Sequence, residues 1–279
     1  MTTGEVVESV RRLLTRLRAV PETEMRVALW REFFRSEHPE IVLAAVQQII
    51  ERSKNQPGDY RAGLLALSRY LNEDEAHARK VLLPAAVVAG DADVISLVVD
   101  EPAARVAHED ELTAPLIDKD RDVTLGERRS LARQPDRNLI GHLVLDPDPI
   151  VIRNLLQNPR LIELDVLRIA SQRPVRSEVL REVFQASRWS GRRQIQLALI
   201  QNPYTPTQIG ISLVELCDED ALREVILARS IHPLIIARAK ERVRGQTERS
   251  IESHVIDADD WTQDLLERRS GTQDGSEDD

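Results

Sequence analysis

Residues 145–161 read Leu145-Asp146-Pro147-Asp148-Pro149-Ile150-Val151-Ile152-Arg153-Asn154-Leu155-Leu156-Gln157-Asn158-Pro159-Arg160-Leu161, and much of the chain echoes this phrase. Asp148 is placed to accept hydrogen bonds from free amides at a helix start, and Pro149 suits the first helical position, where its missing N–H costs nothing. Ile152, Leu155 and Leu156 then fall at i, i+3 and i+4, one face of a short helix. Pro159 ends it, because its ring pushes Asn158 out of the α region. The phrase is therefore turn, short amphipathic helix, turn. One such helix cannot bury its own apolar face, so it requires neighbours of the same kind.

Those neighbours are present. Leu155–Pro159 returns as Leu199-Ile200-Gln201-Asn202-Pro203, 44 residues later, and Pro149–Ile152 returns as Pro233-Leu234-Ile235-Ile236, 84 residues later. Leu131–Asp136 and His38–Val42 are fainter copies. A period of roughly 40–47 residues with two or three helices per unit marks a HEAT- or armadillo-type α-solenoid. Composition agrees, with 42% apolar and 30% charged residues but only 3% aromatic, too few for a sandwich or barrel. The expected fold is all-α: a HEAT-like α-solenoid of short antiparallel helices with a disordered acidic C-terminal tail.

Three regions follow from the pattern. Residues 1–122 form an N-terminal helical, HEAT-like or capping region, with helices over 4–19, from Thr23, from His38-Pro39, over 60–71, and from Glu73 or Asp74 to about Val88. Pro84 is expected to kink or split the last of these near Leu83. Trp30, Phe33 and Phe34 make the opening helices the thick end of the core. Val94–Val99 reads as a further short helix. Pro102–Asp122 is the least regular part, two short helical patches around Pro115 that are expected to loop out of the array. Residues 123–247 hold nine candidate helices, at 125–133, 136–145, 149–157, 162–171, 177–186, 190–201, 205–216, 218–229 and 233–244. Their linkers are as short as antiparallel neighbours require. Residues 248–279 are the acidic, flexible tail.

The run Asp146-Pro147-Asp148-Pro149, then Arg153, then Asn158-Pro159, followed by Asp165-Val166-Leu167-Arg168-Ile169-Ala170, resembles the bacterial leucine-rich repeat variant. The segment Asn202-Pro203-Tyr204-Thr205-Pro206-Thr207-Gln208-Ile209 is similar to its second characteristic element. The resemblance covers about residues 125–244 and implies a HEAT-like right-handed solenoid of short helices. Some members of that family hold an iron–sulfur cluster on clustered N-terminal cysteines. This chain has one cysteine, Cys217, so the feature is not carried over and no cofactor is expected.

Little points to catalysis. Cys217 stands beside Asp218, Glu219 and Asp220, which raise a thiol pKa, so it reads as a small helix residue. A lone thiol excludes an intramolecular disulfide and is compatible with a reducing cytoplasm. None of the six histidines sits at a metal-binding spacing. Glu73-Asp74-Glu75-x-His77 has ligand-type residues, but no partner elsewhere completes a site, and no metal is expected. There is no Gly-rich phosphate loop, no Gly-x-Ser-x-Gly elbow and no Cys/His pair. No run approaches the ~18 apolar residues of a membrane span, and the N-terminus lacks a signal peptide's apolar stretch. The expectation is a cytoplasmic non-enzyme.

Arginine is the better lead. The net charge is −9, yet residues 121–250 hold 21 basic and 16 acidic groups, whereas 251–279 hold 2 basic and 10 acidic. Arg153, Arg160, Arg173, Arg176, Arg181, Arg188, Arg192 and Arg193 lie within 41 residues, against Glu163, Asp165, Glu178 and Glu182. On a curved stack they can line one face, where guanidinium forks recognise carboxylates or phosphates. The expected function is a protein-interaction or scaffold module, its partner surface formed by Arg153, Arg160, Arg181, Arg188, Trp189, Arg192 and Arg193, although Trp189 could equally plug the joint between repeats. Trp261 and Leu265 add two apolar anchors in the tail, suited to a partner's groove or to capping the chain's own last repeat. The alternative is nucleic-acid binding by the arginine-rich region, with the tail competing; few lysines, few aromatics and a pI near 5.3 count against it. Asn158 and Asn202 are expected to bond their own backbone and set the inter-helix turn.

Overall fold

In the computed structural model, described over residues 3–55, 58–98, 101–118 and 121–245, every regular element is a helix. Trp261, Leu265 and the rest of the expected tail lie outside the described residues.

The phrase at 145–161 folds as its residues dictate. The Asp148 carboxylate caps α9 (Pro149–Leu156), accepting from the amides of Ile150 at 3.1 Å and Val151 at 2.9 Å. Val151, Ile152, Leu155 and Leu156 are buried. The same chemistry opens the neighbouring helices. Thr124 and Glu127 form a capping box on α7 (Leu125–Leu131), Asp136 caps α8 (Arg137–Leu143), and Asp218 caps α15 (Glu219–Leu227). Each cap satisfies amides that a helix start otherwise leaves without partners. Around these lie α10 (Glu163–Ser171), α11 (Ser177–Gln185), α13 (Arg193–Gln201), α14 (Thr207–Val214) and α16 (233–245). The spacing does not reveal α12 (Ser187–Ser190), a single turn. Packing in this half links next-but-one helices: α7 with α9, α9 with α11, α11 with α13, and α13 with α15.

The N-terminal half comprises α1 (Thr3–Ala19), α2 (Thr23–Ser36), α3 (Pro39–Asn55), α4 (Asp59–Glu73), α5 (Glu75–Ala89) and α6 (Ala92–Leu97). Its aromatic residues meet at α4, where Phe34 lies 4.7 Å from Tyr70 and Trp30 Nε1 donates to the Gly63 carbonyl at 3.0 Å. Helix α4 is buried on every side, from Gly63 through Asn72, as a helix apolar all round must be. It touches α1, α2, α3 and α5, and also α11 and α14 of the other half. In a one-dimensional array each unit touches only its sequence neighbours; α4 reaches further. Its Arg69 donates to the Gln185 carbonyl at 2.5 Å and to Glu24 at 2.8 Å, and Gln185 donates back to the Arg69 carbonyl at 3.1 Å.

Two expectations for this half are corrected. Helix α5 continues through Pro84 instead of splitting near Leu83. Pro84 and Lys80 both lie on the exposed face, where water can take the Lys80 carbonyl that the proline leaves free. Residues 101–118 do not loop out of the array and contain one short turn, Glu109–Glu111. They run along the second half: the Arg105 amide donates to the Pro203 carbonyl at 2.9 Å, Thr207 donates to the Pro102 carbonyl at 2.6 Å, and Arg176 pairs with Glu109.

Candidate partner-binding surface

The turn after α9 is built by Asn158. Its amide nitrogen donates to the carbonyls of Ala132 (2.9 Å) and Gln134 (2.8 Å), and its Oδ1 accepts from the Arg160 amide at 3.0 Å. Asn202, one sequence echo later, repeats all three bonds: to Ala170 (2.8 Å), to Gln172 (3.0 Å) and from the Tyr204 amide (3.1 Å). The carbonyls taken are those that the ends of α7 and α10 leave unpaired, because a helix's last carbonyls have no partner within it. Each asparagine thus bonds its own backbone, as the Asn-Pro pair implies, and also staples the end of an earlier helix.

Against this stapled turn sits α12. Trp189 is 1% exposed, and its Nε1 donates to the Leu156 carbonyl at 3.0 Å. This corrects its reading as a partner-contacting residue: an indole with one N–H and a large apolar ring fills the joint between α9 and α13, and a partner cannot reach it. Two arginines lie over its ring, Arg188 at 4.5 Å and Arg192 at 5.0 Å from the centroid, an arrangement favoured by the ring quadrupole. Arg188 also donates to the carbonyls of Asn158 (3.3 Å) and Leu161 (3.4 Å), while Arg192 pairs with Glu163 at 2.5 Å. The turn at 158–164 and the turn at 188–192 are therefore clipped together.

Their outer side is a mixed apolar and cationic patch. Ile162 and Leu164, on either side of Glu163, are 49% and 63% exposed. Arg160 is exposed with no side-chain partner among the described residues. Beside the patch opens a cleft of about 470 Å³ lined by Arg153, Leu156, Gln157, Glu182, Gln185 and Arg188. Arg153 holds Glu182 through two bonds there. Of the arginines singled out from sequence, Arg153, Arg160, Arg188 and Arg192 come together here.

The others do not. Arg181 is removed from the expected surface: it pairs with Glu75 at 2.5 Å and donates to the Asn72 carbonyl at 3.2 Å, joining the two halves. Arg193 makes a two-bond contact with Asp218, at 3.1 and 3.2 Å, on another side of α13. That contact, with the Ala221 amide, holds the Asp218 carboxyl below the usual range. Arg173 is occupied by the Gln201 carbonyl. The sequence surplus of arginine is thus cancelled in space by Glu75, Glu109 and Asp218, which lie outside the arginine-rich stretch.

The groups that the sequence offered for chemistry are buried or held in ion pairs among the described residues. Burial, followed by the charge of Asp218, pushes the Cys217 thiol up to about 12, so it is no nucleophile at neutral pH. Glu73 is engaged by Arg31 and Glu75 by Arg181. No group of three His, Cys, Asp or Glu side chains is placed to hold a metal among the described residues, and no helix there is long and apolar enough to cross a membrane. Sequence reasoning missed Arg69 and the exposed pair Ile162 and Leu164. The signal for Arg69 was present in the all-round apolar run Gly63–Leu71; the exposure of Ile162 and Leu164 had none, because both match an apolar helix start. Compared with known protein families, curated proteins and solved structures, the chain matches none.

Proposed function

We propose that this chain is a non-catalytic protein-interaction module, a HEAT-like repeat scaffold whose partner docks on Arg160, Ile162, Leu164, Arg188 and Arg192. The observation that carries this reading is the exposure of two aliphatic side chains beside arginines already held in place by Trp189 and Glu163. Side chains fixed before binding lose little entropy on contact, and arginine with buried aromatic support is typical of residues that dominate interface energetics. The partner this chemistry fits offers apolar side chains next to carboxylates. The matching bonds of Asn158 and Asn202 support the repeat reading and the kinship with the bacterial leucine-rich repeat variant. The buried single thiol suits a reducing cytoplasm.

Nucleic acid has less support, because Arg153, Arg192 and Arg193 carry carboxylates that a phosphate must displace. The test is affinity capture on the full chain, with and without nuclease, comparing wild type with I162D/L164D. A discrete protein retained after nuclease and lost with the double substitution, at unchanged melting temperature, is the expected result. Capture of nucleic acid that falls steeply with salt, or protein capture indifferent to I162D/L164D, overturns the proposal.

A further inference from the structure

The turn at Asn158 has a counterpart 44 residues later, at Asn202. Helices α10 and α14 each start five residues after the asparagine, and the two side chains make the same three bonds. The outer sides of the two turns differ. Pro203, Tyr204, Thr207 and Gln208 are buried, whereas their counterparts Pro159, Arg160 and Leu164 are exposed and Glu163 is half-buried. What covers the Asn202 turn belongs to the same chain. Residues 102–105, which form no helix, lie across it: the Arg105 amide donates to the Pro203 carbonyl at 2.9 Å, and Thr207 donates to the Pro102 carbonyl at 2.6 Å. Gln208 donates to the Leu97 carbonyl at 3.1 Å.

The Pro159 carbonyl, counterpart of the Pro203 carbonyl, accepts no protein hydrogen bond among the described residues. A partner that buries Ile162 and Leu164 also removes this carbonyl from water, and a buried carbonyl without a donor costs its full desolvation. A helix laid on the turn cannot meet that need from its backbone, because its amides are bonded within it. An extended segment has amides to give, and main-chain bonds of this kind are a recurring way of holding peptides. We propose that the partner contributes an extended segment, laid across Pro159 to Leu164 as residues 102–105 lie across the Asn202 turn, with one backbone amide on the Pro159 carbonyl. The place of the Thr207 hydroxyl is taken by Glu163, which cannot donate and is held by Arg192. The donor there is a guanidinium, so the segment presents a carboxylate where residues 102–105 present the Pro102 carbonyl. This rests on the reading of the surface given above and adds the conformation and the backbone contact of what binds.

Selection of random displayed dodecapeptides on the full chain tests it, with synthesis of the enriched sequences. The expected peptides combine apolar and acidic residues and lose at least about tenfold in affinity against I162D/L164D and against R160E, at unchanged melting temperature. N-methylation at one backbone position lowers their affinity by about fivefold to tenfold, the worth of one hydrogen bond, while the adjacent positions tolerate it. Transferred nuclear Overhauser contacts show the bound peptide extended. Bound peptides with the contacts of a helix, or with no position sensitive to N-methylation, overturn this inference and leave the surface itself standing. Selection that yields no peptide, or peptides that bind both variants as tightly as wild type, also overturns it; capture of the partner then judges the surface separately.

Discussion

Asn158 and Asn202 show how one side chain can tie a turn to the end of another helix. Each supplies two donors to carbonyls at the end of another helix and one acceptor to its own turn, so each removes three unsatisfied backbone groups. Alanine keeps the fold of the turn but strands one buried and one partly buried carbonyl, at about 1–3 kcal/mol for the buried one before relaxation. We therefore expect N158A and N202A each to lower stability by about 2–3 kcal/mol, read from the midpoint of urea unfolding. N158D should cost at least as much, because a carboxylate has no donor for the Ala132 and Gln134 carbonyls. A change in N158A below about 0.5 kcal/mol, the size of an ordinary surface substitution, counts against this role.

Helix α16 is fixed by close packing and by charge. Gly210 of α14 lies where an added Cβ would meet Ile235 of α16, whose side chain is 2% exposed. G210A should therefore push α16 away and cost about 1–3 kcal/mol, with partial rescue by I235V, which removes the methyl that meets it. The same helix is tied by charge. Arg238, 5% exposed, is shared by Glu215, Asp93 and Glu241, and Glu215 is fully buried. R238M leaves Glu215 and Asp93 without their main partner and should destabilise by about 3–5 kcal/mol, whereas R238M/E215L should recover most of that loss. Thermal melts of the three variants decide it; a double variant no better than R238M means the charges were not the issue.

At the scale of the whole molecule, α4 packs on helices of both halves, so we expect the two to unfold together. Trp30 reports the N-terminal half and Trp189 the C-terminal half, so in a W261F background W30F and W189F chains should unfold at the same denaturant concentration. Separate midpoints would show that α4 does not couple the halves. Acid sensitivity follows from the inter-element pairs. Arg238 holds the Asp93 carboxyl below the usual range, Arg193 does the same for Asp218, and Arg121 and the Thr124 cap bring Glu127 to about 2. A carboxyl lowered in the folded state stabilises above its unfolded value of ~4 and loses that contribution as pH falls through its folded value. Asp146, raised by its burial, works in the opposite direction. The melting temperature should thus hold level from neutral pH to about 5 and drop between about 4 and 2. A rise over that interval would refute the assignment of these pairs.

How much of this was legible beforehand depends on the range of the interaction concerned. Caps, turns and amphipathic periods act within a few residues, so Asp148, Pro149 and the Leu155-Leu156 face defined their helix from sequence, and the echo of Asn158 at Asn202 corresponds to matching hydrogen bonds. The spans from Leu125 onward lie close to those the pattern gives for the same reason. Pairing at a distance leaves no local trace. The arginines within 153–193 look like an open basic face until the fold brings Glu75, Glu109 and Asp218 to them, and Trp189 looks like an anchor until Leu156 takes its N–H. The sequence by itself determined helices, breaks and an all-α class, because those depend on neighbours along the chain. Tertiary structure alone decided which charges are spent, which apolar side chains stay outside, and that α4 joins the two halves, because packing is settled between residues that the chain keeps far apart.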